Sequence, residues 1–122
     1  MRRVHFASFA FGLLVGCGGG TSEMPCPAAT CLQGLTITLT TPPAGAYRVE
    51  AIGPGETAPH GQDCSGAGPC LIFFPGYQPV TVTISVITAT GTTTYNKTPT
   101  YTTVFPNGPD CGACVAGAAT VP

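Results

Sequence analysis

Val80-Thr81-Val82-Thr83-Ile84-Ser85-Val86 alternates apolar side chains with hydroxyl-bearing ones along its whole length. Successive side chains of a β-strand point to opposite faces of the sheet, so this period of two predicts a strand with one buried face. The apolar members are all branched at Cβ, which favours extended backbone. We therefore expect four residues to face a core: Val80, Val82, Ile84 and Val86.

The same period recurs on both sides of this stretch. Leu35, Ile37 and Leu39 alternate with threonines, and Tyr47, Val49 and Ala51 alternate with Arg48 and Glu50. Near the C-terminus, Val115, Gly117, Ala119 and Val121 give a last strand with small inner residues. Pro/Gly clusters separate these stretches, as expected of turns.

Three further segments complete the strand assignment. Residues 70–74 read as a short apolar strand, and a return strand over 93–105 is expected to break at Pro99, which lacks a ladder donor. Residues 56–69 read as a loop. Six or seven short strands separated by turns predict an all-β fold, an immunoglobulin-like antiparallel β-sandwich over residues 26–122. In that topology the first and last strands are expected to run parallel at one edge.

The N-terminus carries an export signal. A basic segment is followed by an apolar run over 6–15, which is too short to span a bilayer but suits a signal peptide over 1–16. Leu14-Val15-Gly16-Cys17 resembles the bacterial lipobox. The resemblance implies cleavage before Cys17 and lipidation of Cys17, which would anchor the chain in a membrane. Residues 17–25 then form the lipidated cysteine and a flexible tether. The alternative is an ordinary secretory signal with a chance cysteine.

Six more cysteines follow in the exported part: Cys26, Cys31, Cys64, Cys70, Cys111 and Cys114. In an exported domain of this size they predict a disulfide framework. If the first and last strands lie side by side, Cys26 and Cys31 meet Cys111 and Cys114 at one pole and cross-link to them, although the pairing within that set stays open. Cys64–Cys70 is then a local bridge.

Candidate chemistry is sparse. Cys111 and Cys114 have the spacing of a redox pair, and the cysteines could in principle bind zinc, but disulfides in an oxidising envelope are the favoured reading. His60, the one histidine after residue 16, lies near Asp63 in the predicted loop, where the two could touch a metal or a substrate. No Ser-His-Asp set is credible around it.

The tyrosines divide into two groups. Tyr47 and Tyr101 are expected to pack in the core or to hydrogen-bond a corner. Tyr77 and Tyr95 then remain as candidates to stack on a carbohydrate.

The small number of basic residues excludes nucleic-acid binding as a function. After residue 16 only Arg48 and Lys97 are cationic, against five acidic residues, so the net charge is −3. Nucleic-acid binding requires a basic surface that displaces counterions, and two separated cations do not make one.

The segment Tyr101-Thr-Thr103-Val-Phe-Pro106-Asn107-Gly108-Pro109-Asp-Cys111-Gly-Ala-Cys114 resembles the C-terminal signature Tyr-x-Thr-x-x-Pro-Asn-Gly-Pro-x-Cys-x-x-Cys of a group of small bacterial lipoproteins. Such chains also tend to carry a lipobox, a cysteine pair before the first strand, and a Gly-x-Tyr strand like that at Gly45. The resemblance supports the fold and the disulfides. It implies no activity, because that group has none assigned.

Together these observations predict a cell-envelope lipoprotein, held by its lipid at the outer membrane because residue 18 is not Asp. We expect a non-enzymatic surface module, structural or binding, with no cofactor or metal and with a protein or glycan partner that the sequence does not identify. The alternative is an envelope redox or metal-dependent protein that uses Cys111 and Cys114 or His60.

Overall fold

The computed structural model describes residues 32–122. Cys17, Cys26 and Cys31, the signal peptide and the tether lie outside the described residues. Within residues 32–122 the regular structure is all β and consists of eight strands: β1 Gly34–Leu39, β2 Tyr47–Ile52, β3 His60–Cys64, β4 Ile72–Pro75, β5 Val82–Thr88, β6 Gly91–Lys97, β7 Thr100–Val104 and β8 Cys114–Val121. In this part of the chain no helix is long and apolar enough to cross a membrane.

The described strands form two four-stranded sheets that pack as a sandwich. The first sheet has the order β4-β1-β8-β7 and the second has the order β3-β2-β5-β6. β1 and β8 are parallel, with Gly34 opposite Ala116 and Leu39 opposite Val121, and the other pairs are antiparallel. The predicted sandwich and the parallel pairing are confirmed. Their predicted place at an edge is wrong, because β4 and β7 flank the pair.

The core consists of the inward residues of both sheets. Leu35, Val49 and Ile84 have no exposed surface, and Val121 is nearly as buried. Burying a side chain of this size contributes about 1.5–3 kcal/mol, so these strands are the main source of stability. The inner positions predicted for β2 are confirmed, as are Leu35 and Ile37 on β1 and Gly117, Ala119 and Val121 on β8. Leu39 and Val115, predicted to face the core as well, are only partly buried.

Two expectations about strand limits are wrong. Val80 does not face the core: it is 79% exposed, and β5 begins at Val82. Val80 and Thr81 form a bend between Pro79 and the strand, so ladder pairing begins only at Val82. In addition, the predicted loop over 56–69 contains strand β3. Its sequence is polar except at Cys64, so it lacks the apolar alternation that marks the other strands.

The return strand breaks at Pro99 as predicted, and the break moves the chain between sheets. β6 pairs with β5 in the second sheet, whereas β7 pairs with β8 in the first. Tyr101 on β7 covers Gly117 on β8, where an added Cβ would lie 2.6 Å from the ring. The Tyr101 hydroxyl donates to the carbonyl of Pro79, as expected for a tyrosine at a corner.

Strand directions divide the loops between two poles. The N-terminal pole comprises residues 32–33 and loops 53–59, 76–81 and 105–113. The far pole comprises loops 40–46 and 65–71 and the turn at 89–90. Contacts join parts of the N-terminal pole: Gly76 N–H donates to the Gln33 carbonyl at 2.9 Å, and the Gln78 amide donates to the Val115 carbonyl at 3.4 Å.

Candidate functional site

A polar cluster at the N-terminal pole joins loop 53–59 to loop 76–81, and Glu56 is at its centre. One carboxylate oxygen of Glu56 accepts hydrogen bonds from the Gly53 N–H and the Tyr77 hydroxyl. The other lies 3.3 Å from Nε2 of His60. We call these four residues the Glu56 cluster.

Aromatic packing fixes one side of this cluster. The His60 and Tyr77 rings lie with their centroids 3.9 Å apart and their planes 34° apart. Phe74 meets Tyr77 edge-on at 6.3 Å and lies 5.8 Å from His60. His60 therefore packs on the core through one ring face while its Nε2 faces a carboxylate.

The hydrogen bond between Glu56 and Tyr77 shifts the pKa values of its two partners in opposite directions. The Tyr77 hydroxyl lowers the pKa of Glu56, and the Gly53 N–H and His60 lower it further against the opposing effect of burial. Burial raises the pKa of Tyr77, and the hydrogen bond to Glu56 adds to the rise. Near neutral pH the phenol is therefore a proton-bearing donor and the carboxylate an ionised acceptor. A general acid or base works best with a pKa near the operating pH, so this pair is poorly matched to proton transfer.

An open cleft of about 500 Å³ lies beside the cluster, between loops 53–59 and 76–81. Its lining is Gly53, Pro54, Glu56, Tyr77, Gln78, Pro79 and Val80. Tyr77 is only 9% exposed, so its ring is not available to stack on a carbohydrate. Tyr95 is partly buried against the core. Tyr47 is buried, as predicted.

His60 and Asp63 do not form the pair that their spacing suggested. They are three residues apart on β3, which places their side chains on opposite faces of the sheet. Asp63 meets Arg48 on the outer face, Oδ1 to Nη1 at 3.1 Å, and Arg48 Nε also donates to Glu50 at 3.0 Å. His60 turns instead to Glu56. The joint metal or substrate site that their spacing allowed is therefore not formed, because the two side chains lie on opposite faces.

The described cysteines are oxidised. Cys64 and Cys70 form the predicted local bridge, with Cα atoms 5.8 Å apart. Cys111 and Cys114 are disulfide-bonded as well. The predicted cross-link to Cys26 and Cys31 concerns residues outside the described part of the chain and stays a prediction. In the oxidised state these sulfurs are not thiolate ligands for zinc.

The hydrogen bonds that Glu56 and Gln62 make were not predicted from the sequence. The Gln62 amide joins the two sheets at one edge: its Nε2 donates to the Leu71 carbonyl, and its Oε1 accepts from the Phe73 N–H at 3.4 Å. The Gly53-Pro54-Gly55 turn before Glu56 was a usable signal, because a carboxylate just after such a turn can bond its exposed N–H groups. Nothing in the sequence around Gln62 marks its partners, which lie nine and eleven residues away.

Among residues 32–122 no group of three or more His, Cys, Asp or Glu side chains is placed to hold a metal ion. Comparisons with protein families, with curated proteins and with solved structures find no match to this chain. We therefore infer the function from the sequence and from the geometry of the site.

Proposed function

We propose that this chain is a lipid-anchored module of the bacterial cell envelope that acts by presenting the surface of a rigid sandwich to a partner, and not by catalysis. The observation that carries the proposal is the Glu56 cluster. Its polar groups bond to one another and to backbone, so they fix two loops in place.

The disulfides support the export part of the proposal. Cys64, Cys70, Cys111 and Cys114 are all in disulfides, a state that persists in oxidising compartments outside the cytoplasm. The export signal over 1–16 and the lipobox ending at Cys17 agree with that location. Gly18 in place of Asp favours the outer membrane.

The non-enzymatic part is supported by the contacts of the polar side chains. Asp63 and Glu50 pair with Arg48, and Glu56 holds Tyr77 and Gly53. His60 is 41% exposed but lies against Tyr77, where its ring braces the loop. A partner would meet the outer surface of a preformed scaffold, which reduces the ordering needed on binding.

The second candidate is an envelope redox or metal-dependent protein using Cys111 and Cys114 or His60. Titration of thiols under native conditions at graded redox potentials separates the two functions. A redox pair is reduced at mild potential, whereas structural bridges resist reduction. We expect the disulfides of Cys111 and Cys114 to resist reduction at mild potential, and the Cys64–Cys70 disulfide to resist it as well.

The anchor is tested by expressing the chain and its Cys17→Ala variant with labelled palmitate in a bacterium that has an outer membrane. We expect label in the wild-type chain, and an unlabelled precursor that retains residues 1–16 in the variant. Cys64→Ala is the matched control, because it removes a cysteine far from the lipobox and should keep the label. Palmitate on the Cys17→Ala protein would contradict Cys17 as the lipid acceptor.

A further inference from the structure

Exposed apolar side chains concentrate at the N-terminal pole. Among residues 32–122 five large hydrophobic residues are exposed. Three of them lie at this pole, Leu32 (48%), Val80 (79%) and Phe105 (50%), and a fourth, Val104 (43%), is the last residue of β7 directly beside it. The fifth, Leu71 (61%), belongs to loop 65–71 at the far pole. Apolar residues gathered at one end of a domain mark a contact site more strongly than the same residues scattered singly. We call the four the apolar pole residues.

Strand register brings two of them toward the same end of the first sheet, on either side of β8. Val104 pairs with Cys114 across β7 and β8, and Leu32 lies two residues before Gly34, whose partner Ala116 lies two residues after Cys114. Phe105 follows Val104 directly. Loop 76–81, which carries Val80, contacts this end of the first sheet through Gly76 and Gln78.

We propose that the N-terminal pole faces the membrane and that the apolar pole residues rest in the boundary between headgroups and acyl chains. This inference rests on the proposed function, because the lipid on Cys17 is what brings the pole to the bilayer. Fifteen positions separate Cys17 from Leu32. The chain toward Cys17 leaves the described residues at Leu32, so the anchor is joined to the domain at the pole that carries the apolar pole residues.

Because the tether already holds the domain at the membrane, contacts from a few apolar pole residues are sufficient to orient it. A lipid anchor holds the domain at high local concentration beside the bilayer, so the second contact is effectively intramolecular and can be weak individually. Asp110 is the only charged residue of loop 105–113, and the carboxylate of Glu56 is held by its own cluster. The contact is therefore apolar, and we expect it to persist as the salt concentration is raised.

The chain contains no tryptophan, so a single introduced indole reports its surroundings without background. We propose Phe105→Trp and Val80→Trp as probes and Leu71→Trp as the matched control at the far pole. Each is prepared as the full lipidated protein in phosphatidylcholine–phosphatidylethanolamine vesicles with brominated acyl chains, and the lipid on Cys17 is verified by mass. We expect a blue-shifted emission and loss of most of the fluorescence for Phe105→Trp and Val80→Trp, and neither for Leu71→Trp.

Four results would overturn the inference. If all three indoles are quenched equally, or if none is quenched on verified lipidated protein, the proposed orientation of the domain is contradicted. The lipid anchor on Cys17 is not contradicted by either result. A blue shift at Phe105→Trp without bromine quenching means that the pole is covered by protein. A mass without lipid on Cys17 contradicts the proposed function itself, and the inference fails with it.

Discussion

Glu56 holds two loops together through a single carboxylate. The donors are a backbone N–H from its own turn at Gly53 and a phenol from loop 76–81, Tyr77, with His60 at the second oxygen. A hydrogen bond to a charged group is about twice as strong as one between neutral groups. This side chain therefore ties loop 53–59 to loop 76–81 at the pole that we propose faces the membrane.

Replacing Tyr77 by Phe removes one hydroxyl and keeps the ring against His60 and Phe74. We expect the free energy of unfolding to fall by about 1.5–3 kcal/mol, the usual range for a bond to a charged partner, measured by urea denaturation. Tyr47→Phe is the control: Tyr47 is buried too, but its hydroxyl bonds to no group in residues 32–122 that the structure records. Equal losses in the two variants would refute the importance of the Tyr77–Glu56 bond.

The pH dependence of stability follows from the same bond. The pKa of Glu56 is lowered from its ordinary value of 4.5, mainly by the Tyr77 hydroxyl. A lowered folded-state pKa gives stability that is complete above the ordinary value and is lost as the pH falls through the folded-state value. The stability difference between wild type and Tyr77→Phe should therefore be largest near neutral pH and shrink in acid.

Carboxyl NMR titration measures the Glu56 pKa directly. We expect Tyr77→Phe to raise it toward 4.5 and Tyr47→Phe to leave it in place. An unchanged Glu56 pKa in Tyr77→Phe would contradict the assignment of the shift to that hydroxyl.

Among the strands, alternation alone predicted those with an apolar inner face. β1, β2, β5 and β8 were found this way, and β4 within a residue or two. β3 could not be found, because a strand held by polar side chains carries no apolar period. Val80 continued the period of β5, but it lies in a bend before the strand, and an apolar period does not show where a bend ends and the ladder begins.

The candidate site was harder to predict than the sheets. Glu56 and Tyr77 are far apart in sequence and meet only because loops 53–59 and 76–81 share a pole. His60 was noticed, but its neighbour in sequence, Asp63, was taken for its partner because the segment was read as a loop. Once it is a strand, side chains three residues apart must point to opposite faces.

Gln62 acts on the β3–β4 edge as a peptide group would, donating to one backbone carbonyl and accepting from one N–H. Gln62→Leu removes both bonds at similar volume, and we expect a loss of about 1 kcal/mol of stability together with faster hydrogen exchange at the Phe73 amide. Gln78→Leu, which removes a single amide contact to the Val115 carbonyl at the N-terminal pole, should leave Phe73 protected. Unchanged exchange at Phe73 in Gln62→Leu would mean that the bond does not protect this edge.

For the molecule as a whole, the β1–β8 register favours one of the two cross-pairings that the sequence left open. Gly34 lies opposite Ala116, and the same register extended by three residues would bring residue 31 opposite residue 113, beside Cys114. We therefore predict Cys31–Cys114 with Cys26–Cys111. Bridges that close loops of about 80 residues stabilise a fold by on the order of 4–5 kcal/mol in the loop-closure model, against roughly 2 kcal/mol for the short Cys64–Cys70 loop.

Peptide mapping without reduction checks the pairing. The N-terminal peptide with Cys26 and Cys31 should be recovered bound to the peptide with Cys111 and Cys114, and partial reduction with alkylation should assign the individual bonds. N-terminal and C-terminal peptides recovered separately would contradict the cross-link. The bonds Cys31–Cys111 and Cys26–Cys114 would support the cross-link but contradict the individual pairing that we infer from the β1–β8 register.

At the scale of the whole molecule, we propose a disulfide-linked sandwich that is anchored through Cys17 in the bacterial envelope. The measurement that tests it most directly is the intact mass of the protein extracted from membranes, followed by fragmentation of its N-terminal peptide. We predict a chain that begins at Cys17, carries a diacylglyceryl group and an amide-linked acyl chain there, and lacks six hydrogens relative to the reduced cysteines. A mature chain that begins at another residue, or that carries an unmodified Cys17, would contradict it.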